Sequence, residues 1–148
     1  MSFENYTKRK NNIVKWLPDW IDSHFTSFYD FGHLPENHLN ATDQFLMNRA
    51  KKERHDSSTF VGTDSAVLKM LHETLKAQYI GIAEYLADTE WTDECVIAGT
   101  LPETVAGKAF LFDHNLHDWA DGAKPCTEFL VIIKKTGNTF YVKTAYPL

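Results

Sequence analysis

Two rhythms of apolar and polar residues divide this chain. Toward its C-terminus, Glu128-Phe129-Leu130-Val131-Ile132-Ile133-Lys134-Lys135 is a β-branched apolar run, followed by Thr136-Gly137-Asn138 and then by Thr139-Phe140-Tyr141-Val142-Lys143-Thr144-Ala145-Tyr146. This pattern predicts two antiparallel strands around a glycine-containing turn. Strand side chains alternate faces, so Phe140, Val142, Thr144 and Tyr146 are expected on one side and Tyr141, Lys143 and Ala145 on the other. The face that buries Phe140 and Val142 then ends in two hydroxyls, just before Pro147 stops the strand.

The N-terminal half is spaced for helices. Residues 4–30 carry Ile13, Val14, Trp16, Leu17, Trp20, Ile21, Phe25 and Phe28, read as two short helices broken at Pro18 whose aromatic side chains cover a sheet. After the polar connection Gly32 to Ala41, Thr42 is expected to cap a helix to about Arg54 that buries Phe45, Leu46 and Ala50. Asp56 to Gly62 reads as a turn and a short strand. Thr63 then caps one long helix through Leu86, with Gly81 as the place for a bend and His72 at the edge of its apolar stripe. Cys95 to Ala98 and Ala109 to Phe112 are candidate strands, and His114 to Thr127 is irregular. Helices first and strands afterwards predict an α+β domain, with N-terminal helices packed on a C-terminal antiparallel sheet.

Composition narrows the possibilities. With 148 residues, 43% hydrophobic and 24% charged, the chain is long enough to bury a core without staples. No membrane span or signal peptide is expected, and Cys95 and Cys126 are too few for a disulfide framework and read as free thiols. The net charge of −5 disfavours binding nucleic acid by bulk electrostatics. The charge is unevenly spread, however: residues 49–54 are basic, whereas Glu84 to Glu128 is strongly acidic. An anionic substrate is therefore expected near Lys51, Lys52 and Arg54.

His38 and Arg49 are eleven residues apart, close to three helical turns, which puts them on one face if the helix begins early. A histidine beside a fixed guanidinium has the makings of a general base next to an anion clamp. His114 and His117 lack further ligands to complete a metal site, and no phosphate loop, nucleophile elbow or HExxH pattern occurs.

The order of these features carries a resemblance. Gly32-His33, His38, Arg49 on a helix, Ser58-Thr59-Phe60, a long helix and the closing Thr144-Ala145-Tyr146-Pro147 look like the bacterial ribonuclease A-like toxin domain over roughly residues 32 to 148. That family forms the C-terminal tip of contact-dependent growth inhibition and related polymorphic toxins. The resemblance implies a kidney-shaped α+β body over 32–148, built without the disulfides of pancreatic ribonuclease, with 1–31 as an added aromatic helical segment. It implies His38, Arg49, Thr144 and Tyr146 as the catalytic residues of an endoribonuclease needing neither metal nor cofactor. Cleavage would run through the ribose 2′-hydroxyl to a 2′,3′-cyclic phosphate. Tyr146, with a reference pKa of about 10, and His33 are both candidates for the acid that protonates the leaving oxygen. The resemblance further implies RNA, tRNA included, as substrate and a cognate immunity protein as partner. The chain would be a monomer, secreted as part of a larger effector and delivered to the target-cell cytoplasm. The alternative from another class is a non-catalytic acidic binding module, immunity- or antitoxin-like, that occupies a basic partner.

Overall fold

The computed structural model describes residues 2–119 and 122–148, so Ala120 and Asp121, inside the expected irregular and acidic stretches, lie outside the described residues. Helix α1 (Phe3–His24) starts at Ser2, whose hydroxyl accepts from Asn5 N at 3.2 Å, and it runs unbroken through Pro18. Two helices were expected. Proline removes one backbone donor and crowds the preceding turn at a cost of about 3 kcal/mol. The stripe Ile13, Leu17 and Ile21 is buried on both sides of Pro18, and that continuous packing against α4 (Asp64–Ala77) and α5 (Tyr79–Ala87) holds the helix together.

A 3₁₀ turn (Phe28–Phe31) and the one-turn helix α2 (Leu34–Asn37) lead to α3 (Asp43–Glu53), whose cap Thr42 accepts from Phe45 N at 3.1 Å. Leu46 and Ala50 are buried as expected, whereas Phe45 faces outward at 41% exposure. Strand β1 (Ser57–Val61) precedes α4, which Thr63 caps. The expected single long helix is two, and it breaks at Gln78 rather than Gly81, which lies inside α5. Gln78 leaves helical geometry and its side-chain amide donates to Ala98 O at 2.7 Å, tying the break to the sheet below.

The strands form two antiparallel three-stranded sheets rather than one. The first is β1, β3 (Ala106–Phe110) and β6 (Lys124–Cys126); the second is β2 (Cys95–Thr100), β7 (Glu128–Thr136) and β8 (Thr139–Pro147). A two-stranded ribbon joins β4 (Phe112–Asp113) to β5 (Asp118–Trp119). The stretch expected to be irregular thus contains β5 and β6. Strand β6 is Lys-Pro-Cys, with Pro125 tolerated because it sits on a sheet edge. Such a segment has no alternation to read.

The inner face of the second sheet, Phe129, Val131 and Ile133 on β7 with Phe140, Val142 and Ala145 on β8, packs with α1, α4 and α5 into one core. His72 is a boundary residue, as expected, 2.7 Å from Phe25 O and 2.8 Å from Asp22 Oδ1. Both cysteines are free, and burial pushes both thiols up.

The β7–β8 hairpin turns through Gly137 and Asn138, with Gly137 at φ +60° as the first residue of a two-residue loop requires. Its register then shifts: Ile133 pairs with Val142 but Ile132 pairs with Thr144, so Lys143 is an extra, bulged residue. The bulge resets the alternation. Ala145, not Thr144, joins Phe140 and Val142 in the core. Thr144 and Tyr146 therefore lie on the opposite face from Phe140 and Val142, contrary to the simple period of two.

Candidate active site

The bulge positions the site from two directions. It turns Thr144 and Tyr146 away from the core, and it offers Lys143 O to the segment that carries His38. Gly32, at φ +59°, packs so tightly there that a Cβ would collide with that carbonyl, and His33 N donates to the same oxygen at 3.0 Å. From this contact the chain passes through α2 and is strapped along β1. Phe60 N donates to His38 O, Asn40 N to Phe60 O, both at 2.8 Å, and Ala41 N to Thr59 Oγ1 at 2.9 Å. Asn40 accepts the left-handed φ of 48° that this path demands, and its side chain exchanges hydrogen bonds with Gly62. His38 thus stands outside α3, so the helical-period explanation for its meeting Arg49 does not hold. They meet because β1 runs back beside the end of α2.

A cavity of about 680 Å³ opens beside these elements, and His38, Arg49, Thr144 and Tyr146 all line it. His38 is 8% exposed, and its Nδ1 donates to Ser58 O at 2.7 Å. That bond fixes the tautomer: in the neutral ring Nε2 keeps its lone pair. Burial, with Arg49 assisting and the Ser58 carbonyl opposing, pushes the imidazole down to about 4, so the ring is neutral at physiological pH. The Tyr146 ring lies 5.5 Å from that of His38, centroid to centroid.

Arg49 donates through Nε to Glu53 Oε2 at 3.1 Å. Its Nη1 is buried and has no hydrogen-bond partner among the described residues, and the same holds for Thr144 Oγ1. A buried polar group left unpaired costs about 1–3 kcal/mol, and each such group calls for a reason. Two of them on residues of one cavity mark a place where an anion would find donors.

The other residues expected to meet substrate are elsewhere. Lys51 pairs with Asp118 at 3.4 Å and Arg54 Nη2 donates to His117 Nδ1 at 2.9 Å, so α3 uses these cations to hold the β4–β5 ribbon. Lys52 is exposed and, like Lys51, Arg54 and His33, is not among the cavity's lining residues. Four polar residues of the cavity escaped the sequence reading: His55, Asp56, Ser58 and Lys124. Of these only Ser58 had a signal, through the Ser-Thr-Phe triplet. Its part is played by a main-chain carbonyl, which no residue type announces.

The sequence profile described as the bacterial CdiA-CT RNAse A domain matches residues 32–147. The chain belongs to that family. Among solved structures it is similar to the CdiA-CT/CdiI complex from Y. kristensenii, at 19% identity and a TM-score of 0.64, covering 79% of this chain and 99% of that one. No curated protein matches. The CdiA-CT RNAse A domain is a toxin domain of contact-dependent growth inhibition, and its match spans His38, Arg49, Thr144 and Tyr146. Among the described residues of this member, no group of three or more His, Cys, Asp or Glu side chains is placed to share a metal ion, and no helix is long and apolar enough to cross a membrane.

Proposed function

We propose that the chain is an endoribonuclease toxin that cleaves RNA without a metal, using the substrate's own 2′-hydroxyl as nucleophile. One observation carries the reading. A neutral histidine with its Nδ1 pinned to Ser58 O shares a cavity with two desolvated, unpartnered groups, Arg49 Nη1 and Thr144 Oγ1. His38 Nε2 takes the 2′-proton as the 2′-oxygen attacks phosphorus, and the bond from phosphorus to the 5′-oxygen breaks. Arg49 stabilises the charge on the pentavalent phosphorus, acting as a clamp in place before the reaction begins. Thr144 hydrogen-bonds the phosphate. Tyr146 protonates the departing 5′-oxygen, a role for which His33, outside the cavity lining, is worse placed. The products are a 2′,3′-cyclic phosphate and a 5′-hydroxyl.

The family supports delivery into a target cell as the tip of a larger effector, and the similar CdiA-CT/CdiI complex supports a cognate immunity protein as the partner that restrains it. A non-catalytic acidic module would leave the convergence of these four residues without a purpose. The test is incubation with an RNA oligonucleotide, with its single-deoxyribose counterpart, and with EDTA. Cleavage of the RNA with and without EDTA, and none of the deoxy-substituted strand, is the expected result. Activity that vanishes with EDTA and returns with magnesium would show the chemistry to be misassigned.

A further inference from the structure

An arginine can clamp a phosphate only if its guanidinium is held in one orientation, and α3 supplies a means of holding it. Glu53 stands one turn beyond Arg49, and its Oε2 accepts from Arg49 Nε at 3.1 Å. The same oxygen is 2.7 Å from His55 Nε2, while His55 Nδ1 donates to Asp56 O at 2.6 Å. His55 lines the cavity alongside Arg49. The guanidinium is planar, with five N–H groups in fixed directions, so engaging Nε on one edge fixes the direction of the rest. The nitrogen left buried without a partner among the described residues is Nη1.

We propose that Glu53 is the positioning residue of the phosphate clamp: one carboxylate oxygen, in contact with His55, holds Arg49 by Nε and so directs Nη1 to the anion. The inference rests on reading Arg49 as the phosphate-binding group. A plain helix pair at this spacing contributes about 0.2–0.5 kcal/mol and has no further role. Three features separate Glu53 from such a pair. Arg49 is only 18% exposed in its side chain. The accepting oxygen is shared with a second cavity residue. A carboxylate beside an anion site also repels the ligand, a cost that helix stability alone gives no reason to bear.

The experiment compares Glu53→Ala, Glu53→Gln and, as a control, Glu73→Ala, which breaks the Lys69–Glu73 pair of the same spacing on α4. Glu53→Ala is expected to lower kcat/KM by about 10- to 100-fold, as loss of alignment at a reacting centre does. Its thermal unfolding should move no more than that of Glu73→Ala. Glu53→Gln keeps an acceptor for Arg49 Nε and should recover most of the loss. Titration with a 2′-deoxy oligonucleotide needs no cleavage and should show Glu53→Ala binding more weakly than the parent. Equal binding by the two overturns the role of Glu53, as does an activity loss that Gln does not rescue and that follows unfolding. A parent chain that binds the oligonucleotide yet cuts no RNA instead overturns the ribonuclease reading, and the binding comparison still decides on Glu53.

Discussion

The two faces of β8 are built to opposite standards. On one, Phe140, Val142 and Ala145 are almost wholly buried, and Phe140 stacks on Phe25 at 5.2 Å with Trp20 against it at the same distance. On the other, Thr144 carries a buried hydroxyl without a partner among the described residues, and Tyr146 lies beside a histidine whose proton affinity burial has lowered. A single bulge at Lys143 separates the two regimes. The first face contributes stability and the second surrenders some of it, as binding and catalytic groups commonly do. Substitutions on the two faces should therefore act on different observables.

The sharpest break in that comparison comes from removing the cover of the core face. Deleting residues 1–31 strips Ile13, Leu17, Ile21, Phe25 and Phe31 from the common core. The expected outcome is loss of cooperative unfolding by circular dichroism, which would make the N-terminal segment part of the folding unit. A deletion that unfolds at the parent temperature would show that the core face of β8 needs no such cover. Next in size is a pair of point changes. His38→Ala should lower RNA cleavage by about 100- to 10,000-fold, the range for a general base, and move the unfolding temperature far less than Phe140→Ala. Phe140→Ala should cost about 3–5 kcal/mol in urea unfolding, with the folded fraction still cutting RNA.

Much of this architecture was legible from residue order. The hairpin, the caps Thr42 and Thr63 and the helix-then-strand succession follow from local rules that the packing did not overrule. Three of the misreadings share a cause: each depended on a contact far away in sequence. Pro18 is carried by packing on α4 and α5, the break at Gln78 by a bond to Ala98, and the two-sheet division by short strands whose partners lie far off. At the site, four of the residues that line the cavity, His38, Arg49, Thr144 and Tyr146, were named for reasons that were partly mistaken. His38 meets Arg49 through β1 rather than along a helix, and Thr144 and Tyr146 share a face by alternation, as expected, but the bulge sets that face opposite Phe140 and Val142. A bulge cannot be read from alternation, since its effect is to interrupt it.

A smaller effect separates the faces by pH. The His38 imidazole lies near 6.5 in the unfolded chain and is pushed down to about 4 in the fold by burial. Above pH 6.5 both states hold it neutral and it adds no pH dependence. As pH falls from 6.5 to 4 only the unfolded chain gains the proton, so folding loses up to about 3 kcal/mol over that window. Urea midpoints at pH 7 and 4.5 should draw apart more in the parent than in His38→Gln. For the free enzyme, kcat/KM should rise with pH through about 4 and be level across neutrality. Equal pH sensitivity of parent and variant would mean that this histidine is not desolvated.

The smallest effect discriminates most finely, because it has opposite signs on stability and function. Thr144 and valine are both β-branched and nearly isosteric, so Thr144→Val keeps the strand and exchanges only the unpartnered hydroxyl for a methyl. Removing a buried hydroxyl that has no partner relieves a desolvation penalty of about 1–3 kcal/mol, and part of that should appear as a rise in stability of about 1 kcal/mol. In the proposed mechanism the same change deletes a donor to the phosphate, so cleavage should fall by about tenfold, equivalent to about 1.4 kcal/mol. On the core face no such exchange exists, since every truncation there opens a cavity and lowers stability. If Thr144→Val is less stable than the parent, the hydroxyl is satisfied in the folded chain. The two faces of β8 would then differ in exposure alone, and the case for an anion held between Arg49 and Thr144 would fail with it.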